Sequence, residues 1–230
     1  TVTCVCGTPF AGDRVDAMKP EEATAYPPTA DRDTVNLLDG MERVAVPAAG
    51  GRTAVGYRCS FEAKAAGDYL LSFTFPPLWL ADEKRFVTDL VRVVVHVRDE
   101  SGWAKSPPGP FAIVPMTRPY GLGEHTVFLV RLVHQKPVRR QMVEVERYSP
   151  APPAKLPDPE FVTARVLTDD AGVATCTLHE RGWWVLSAEQ SPMPMTIEPT
   201  LARGEERFPV RPRAVFVVFV AGRPGAEGQK

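Results

Sequence analysis

Roughly one residue in ten of this chain is proline, 24 of 230, with 17 glycines beside them. Proline fixes φ and removes a backbone donor, so it breaks helices and is kept out of central strands. That excludes a mostly helical protein and favours many short strands joined by stiff turns. Hydrophobic residues make up 44% and charged residues 24%, which sets disordered and fibrous classes aside. Lysine plus arginine is 27 and aspartate plus glutamate is 28, a net charge of -1. No whole-chain charge argues for nucleic acid or an anionic membrane.

Hydrophobic alternation supplies the strands. Over residues 54–62, Val55, Tyr57, Cys59 and Phe61 share one face, and Arg58, Ser60 and Glu62 the other. After a turn at Gly67-Asp68, Tyr69, Leu71, Phe73 and Phe75 line up, and Pro76-Pro77 stops that strand. Residues 90–98 place Val91, Val93, Val95 and Val97 on a buried face, and Arg92, His96 and Arg98 on a polar one. Residues 12–47 are irregular, with a short strand near 43–46. The best helical candidate is 80–90.

In the second half, 126–134 carries Phe128, Val130 and Leu132 on one face. Lys136-Pro137 reads as a turn, and 141–148 as the hairpin partner. Residues 150–159 hold five prolines and read as a stiff surface loop. Strand 161–168 meets a turn at 169–172, and 173–179 reads as its return. Residues 214–220 are apolar on both faces, as in a covered central strand. No stretch approaches the ~18 apolar residues of a membrane-spanning helix.

The breaker cluster Ser106-Pro-Pro-Gly-Pro110 precedes a boundary near Thr117-Arg118-Pro119. The expectation is an all-β chain of two tandem antiparallel β-sandwiches, immunoglobulin-like or transthyretin-like, at 1–116 and 117–230.

The sequence opens at Thr1 with no initiator Met and no basic-then-apolar leader. The expectation is a removed signal peptide or an arbitrary start, and hence a periplasmic or extracellular location. The tail 223–230 is polar and reads as loose. Cys4, Cys6, Cys59 and Cys176 are too few for a disulfide scaffold. Cys4 and Cys6 share a strand face with Val2, and Cys59 lies on the apolar face of another strand. Two readings stand: one bridge from Cys4 or Cys6 to Cys59, or four buried small hydrophobes.

An ordered set of motifs resembles the DUF4198 family across nearly the whole chain. It comprises Phe10-Ala-Gly-Asp-Arg-Val-Asp-Ala-Met-Lys-Pro20, residues 86–95 after Trp79, Thr117-Arg-Pro-Tyr-Gly-Leu122 and Val143-Glu-Val-Glu-Arg-Tyr148. Asp158-Pro-Glu-Phe161, Thr168-Asp-Asp-Ala-Gly-Val173 and Arg181-Gly-Trp-Trp184 complete it. The resemblance implies a secreted or periplasmic, non-enzymatic protein associated with nickel or cobalt uptake, beside an energy-coupling transporter. It also implies first-domain histidines, one directly before the Pro-Phe of the opening motif and one just before the valine-rich strand. This chain instead reads Thr8-Pro9-Phe10 and Phe86-Val-Thr-Asp89 there.

Nickel and cobalt prefer imidazole and thiolate ligands gathered in one pocket. The candidate ligands are Cys4 and Cys6, with the carboxylates of Asp13, Asp16 or Asp89, and His125. His125 and His179 are candidates for a second-domain site, His134 reads as a strand-end residue, and His96 as a solvated one between arginines. No G-x-S-x-G, H-E-x-x-H or Gly-rich phosphate loop is present, so an enzyme is not expected. The candidate binding surface is aromatic: Trp79, Tyr120, Trp183 and Trp184. Adjacent strand residues face opposite ways, so one of Trp183 and Trp184 should fill the core and the other an outer face. The functions left open are metal binding or docking on a membrane metal transporter, a structural or adhesion module joined to other subunits of an extracellular assembly, and glycan binding.

Overall fold

Valine, branched at Cβ, favours strands, and the valine-rich row runs through a 13-residue strand, Arg85–Val97. The computed structural model describes residues 1–29, 33–104, 109, 111–150, 155–191 and 199–222. Apart from Gly109, the breaker cluster 106–110 lies outside the described residues, as do residues 151–154 of the proline-rich loop and the tail 223–230. In chain order the strands are β1 (Val2–Cys4), β2 (Glu22–Tyr26), β3 (Val35–Asn36), β4 (Glu42–Pro47), β5 (Thr53–Cys59) and β6 (Gly67–Thr74). Next come β7 (Leu78–Leu80), β8 (Arg85–Val97), β9 (Ala112–Pro115), β10 (Thr126–His134), β11 (Lys136–Pro137) and β12 (Met142–Arg147). The last are β13 (Thr163–Leu167), β14 (Val173–Leu178), β15 (Gly182–Glu189), β16 (Thr200–Arg203) and β17 (Glu206–Val220). One helical turn, α1 (Pro159–Val162), precedes β13.

One long sheet runs β13-β12-β15-β17-β8-β6-β2-β3, with β7 on β8 and β16 on β17. Two smaller sheets flank it, β1-β5-β4 and a second built on β10, which pairs with β9, β11 and β14. The two faces of β8 serve different cores. Val91, Val93, Val95 and Val97 pack on a cluster of Ala23, Ala25, Leu37, Cys59, Tyr69, Leu71 and Phe73. Leu90 and Val94 pack on the other cluster, around Phe128, Val130, Trp184, Leu186 and Phe216. The long sheet is therefore shared, with one small sheet on each face at opposite ends. Burying each large side chain in these cores contributes about 1.5–3 kcal/mol.

Several expectations are corrected here. The pairing of β8 with β17 is parallel, within an otherwise antiparallel set of strand ladders. Ala112–Pro115, read as the end of the first half, pairs with β10, and Phe111 and Ile113 belong to the second core. Residues 80–90 are not helical: β7 and β8 form a hairpin, with Lys84 at φ 48 in its turn. The strands expected as hairpin pairs are split between sheets, β10 pairing with β14 and β12 with β13. A sandwich is closed by chain that crosses from sheet to sheet, and a turn signal does not reveal whether the chain stays in its sheet. The Asp169 carboxylate accepts from the amides of Ala171 and Val173, each at 2.8 Å, and Gly172 sits at φ 74. The turn itself is thus as read, while its strands part.

Residues 6–15 strap across the second half. Cys6 bridges Val15. Pro9 accepts from the Ser149 amide at 2.9 Å, and the Phe10 amide donates to Glu146 at 2.7 Å. The buried Arg14 guanidinium donates to the Pro47 carbonyl and to the Tyr148 hydroxyl oxygen. The opening motif is therefore a structural tie between the two halves. Among the described residues, no helix is long and apolar enough to cross a membrane.

Candidate functional site

The expected metal ligands do not converge. Cys4 sits on the face of β1 beside the first core, and burial pushes its thiol up to about 12. Asp16 is held by the Val55 amide at 2.8 Å, and Asp13 by the amide and hydroxyl of Thr8. Asp89 is clasped by Arg213 at 2.6 and 2.9 Å. Cys6 lies near that ion pair, with its thiol raised chiefly by burial. His125 is exposed in the turn before β10, at φ 64. All four histidines and all four cysteines are described residues, and among the described residues no group of three metal-type ligands forms. The cysteines are all free, so no bridge joins Cys59 to Cys4 or Cys6; Cys59 is buried, and Cys4, Cys6 and Cys176 are half-buried, so the second reading holds fully at Cys59 alone.

The aromatic candidates separate into three places. Trp184 is 3% exposed and fills the second core, so it is removed from the candidate binding surface; its indole N–H donates to the Glu180 carbonyl at 2.9 Å. Trp79 is half-buried between Phe86 (centroids 5.0 Å) and Phe208 (4.7 Å), with Arg203 over its ring at 4.8 Å. Trp183 stands on the outer face, 43% exposed, directly opposite Phe219, itself 41% exposed; their ring centroids are 5.0 Å apart. Adjacent strand residues thus point opposite ways, as the pleat requires.

Trp183, Phe219 and Tyr120 line one cleft of about 120 Å³. It lies where the long sheet forks. The parallel ladder of β8 and β17 ends at the pair Val93 and Val217. Beyond it β8 continues beside β6, and β17 beside β15. Residues 119–121 of the linker enter the gap, and Leu122 then bridges Val220 in parallel fashion. The cleft is walled by Val93, Val217 and Pro119.

The linker is fixed by a polar cluster that the sequence reading missed. Asp68, read as a turn residue, lies in β6 opposite His96 and is 2% exposed. Its carboxylate accepts from His96 Nδ1 at 2.7 Å and from the Tyr120 hydroxyl at 3.1 Å. A carboxylate only accepts, so the His96 proton sits on Nδ1. The His96 and Tyr120 rings stack at 4.0 Å, and Arg118 lies over Tyr120 at 5.4 Å while bonding Glu100 at 2.8 Å. Burial, followed by the bond to Asp68, pushes the Tyr120 phenol up to about 12. His96 is therefore exposed, as read, and also paired with Asp68. Arg92, read as surface, is 3% exposed; its guanidinium donates to the Phe111 carbonyl at 3.3 Å, and burial pulls its pKa down to about 10. The available signal was the place of Arg92 between Leu90 and Val94, two residues that prove to be core.

No curated protein and no solved structure matches the chain. The match to a protein family covers residues 1–191, from β1 through β15, and includes Tyr120 and Trp183 but not Phe219. The chain belongs to the DUF4198 family, a domain of unknown function.

Proposed function

We propose that the chain is an exported, non-enzymatic docking protein of the metal-uptake type that the family resemblance implies. It seats a side chain of a membrane metal transporter in the Trp183–Phe219 cleft and does not itself hold nickel or cobalt. The observation that carries this reading is the cleft: two large aromatics, more than 40% exposed, on a rigid sheet face. Tryptophan anchors dominate protein interfaces when they sit in a pocket that excludes water. Size supports a protein partner, because about 120 Å³ is well below the ~300–1,000 Å³ of small-molecule sites. It suits one apolar side chain. The interplanar angle of 57° between Trp183 and Phe219 disfavours the flat stacking platform that a glycan ring needs. Scattered donors, with the carboxylates of Asp13, Asp16 and Asp89 each bonded elsewhere, disfavour a metal site.

The test is interferometry of the purified chain on an immobilised, detergent-solubilised nickel/cobalt energy-coupling transporter. Binding should weaken tenfold or more on Trp183→Ala, about 1.4 kcal/mol or above. No binding by the wild-type chain removes the reading.

A second reading, self-assembly, rests on β13. It ends the long sheet, with no strand on its outer side among the described residues, and Leu167 and the neighbouring Phe161 are exposed. An uncovered edge with apolar side chains is a template for pairing. Light scattering that finds only monomer over a wide concentration range removes this one.

A further inference from the structure

Tyr120 belongs to two arrangements at once. Its side lines the cleft with Trp183 and Phe219, while its hydroxyl is bound to Asp68 at 3.1 Å. The Asp68 side chain is fully enclosed, and its two oxygens are divided between His96 and Tyr120. An acceptor group that has lost its water needs each of these donors. The linker around Tyr120 is also held by the Tyr120 ring stacked on His96 and lying under Arg118, by Pro119 buried in the gap, and at both ends. Arg118 bonds Glu100 before it, and Leu122 bridges Val220 and accepts from the Ala221 amide at 2.8 Å after it. Between them stand Pro119, which has no amide proton, and Gly121, at φ 65.

We infer that Tyr120 is a latch: Asp68, acting through the Tyr120 hydroxyl, holds residues 119–121 in the fork between β8 and β17 and so sets how far the cleft opens. Asp68 is then a positioning residue, remote from any partner, and Tyr120 is the moving wall. The regulation concerns the docking cleft proposed above and rests on that reading for its purpose, but its test uses no partner. If the transporter fails to bind and the latch test succeeds, only the docking reading falls.

The experiment is fluorine NMR of the full chain labelled with 5-fluorotryptophan, with the Trp183 signal identified through Trp183→Phe. A soluble gadolinium chelate then reports the exposure of each indole. In Tyr120→Phe, which removes one hydroxyl, relaxation of the Trp183 signal should rise about threefold or more, the population shift that follows loss of one hydrogen bond. The Trp79 signal should not change. Asp68→Ala, which removes the acceptor, should reproduce the effect with Tyr120 intact, and if that variant does not fold, Tyr120→Phe decides alone. A folded Tyr120→Phe chain with wild-type relaxation at Trp183 overturns the latch. So does a lower melting temperature with no change at Trp183, since that marks a purely structural bond.

Discussion

Val93 and Val217 are the last pair in the parallel ladder that joins the two halves of the chain. Up to that pair the long sheet is continuous, and beyond it the strands part and admit the linker. The same point therefore ends the shared structure and begins the cleft.

The halves should unfold as one unit, because β8 packs on both cores. Calorimetry should show a single transition, and two resolved transitions would contradict it. Asp89→Asn, which strips Arg213 of its bidentate partner across the ladder, should cost about 1–3 kcal/mol. That is below the cost for a fully buried pair, since both side chains keep some exposure. The loss should appear in the shared transition.

The two adjacent tryptophans should separate by stability. Trp184→Leu opens the second core and should cost about 3 kcal/mol. Trp183→Leu removes a half-exposed ring from the outer face and should cost about 1 kcal/mol. Urea unfolding of the two variants checks the contrast, and equal losses would count against the assigned faces.

Glu146 gives a pH prediction of definite sign. Burial raises its carboxyl above the ordinary value of 4.5, outweighing the bonds from Phe10 and Thr163. The fold therefore favours the protonated form. That contribution is complete below the unfolded value and is lost as pH rises through the higher folded one. Glu146→Gln, which keeps an oxygen acceptor for the Phe10 amide, should raise the melting temperature at pH 8 and leave it nearly unchanged at pH 4. Melting curves at the two pH values decide it, and a uniform drop would be the contrary result.

The thiols should be inert in the folded chain. A thiol at about 12, as at Cys4, is ionised on the order of one part in ten thousand at pH 8, and only the thiolate reacts. Cys176, raised by burial to about 11, is little better. Iodoacetamide followed by mass spectrometry should find these two unlabelled in the native chain and all four cysteines labelled in denaturant. Rapid native labelling at Cys4 would contradict the burial.

How much of this was legible follows from what each signal encodes. Alternation located β5, β6, β10 and most of β8, because a half-buried strand must alternate. It marked 214–220 as covered on both faces; Ala214, Phe216 and Val218 do lie in a core, but the opposite face carries Phe219, 41% exposed. It placed Trp183 and Trp184 on opposite faces. Pairing was not legible, because nothing local says that Val93 meets Val217 about 120 positions away, or that β10 and β12 lie in different sheets. The Asp68–His96–Tyr120 cluster was hidden for the same reason. Its members come from β6, β8 and the linker; Asp68 read as a turn residue, His96 as a solvated one and Tyr120 as a binding-surface aromatic, with nothing local to join them. The expected cysteine and carboxylate ligands were plausible by type, but the fold gave most of them partners in the N-terminal strap and the shared sheet.

On the docking reading, this chain binds a transporter side chain and does not chelate metal. The most direct measurement is a calorimetric titration of nickel, then cobalt, into the full chain at neutral pH, with an arginine-rich protein of similar size as control. The claim predicts heats indistinguishable from the control up to millimolar metal. A saturable, one-to-one isotherm would contradict it.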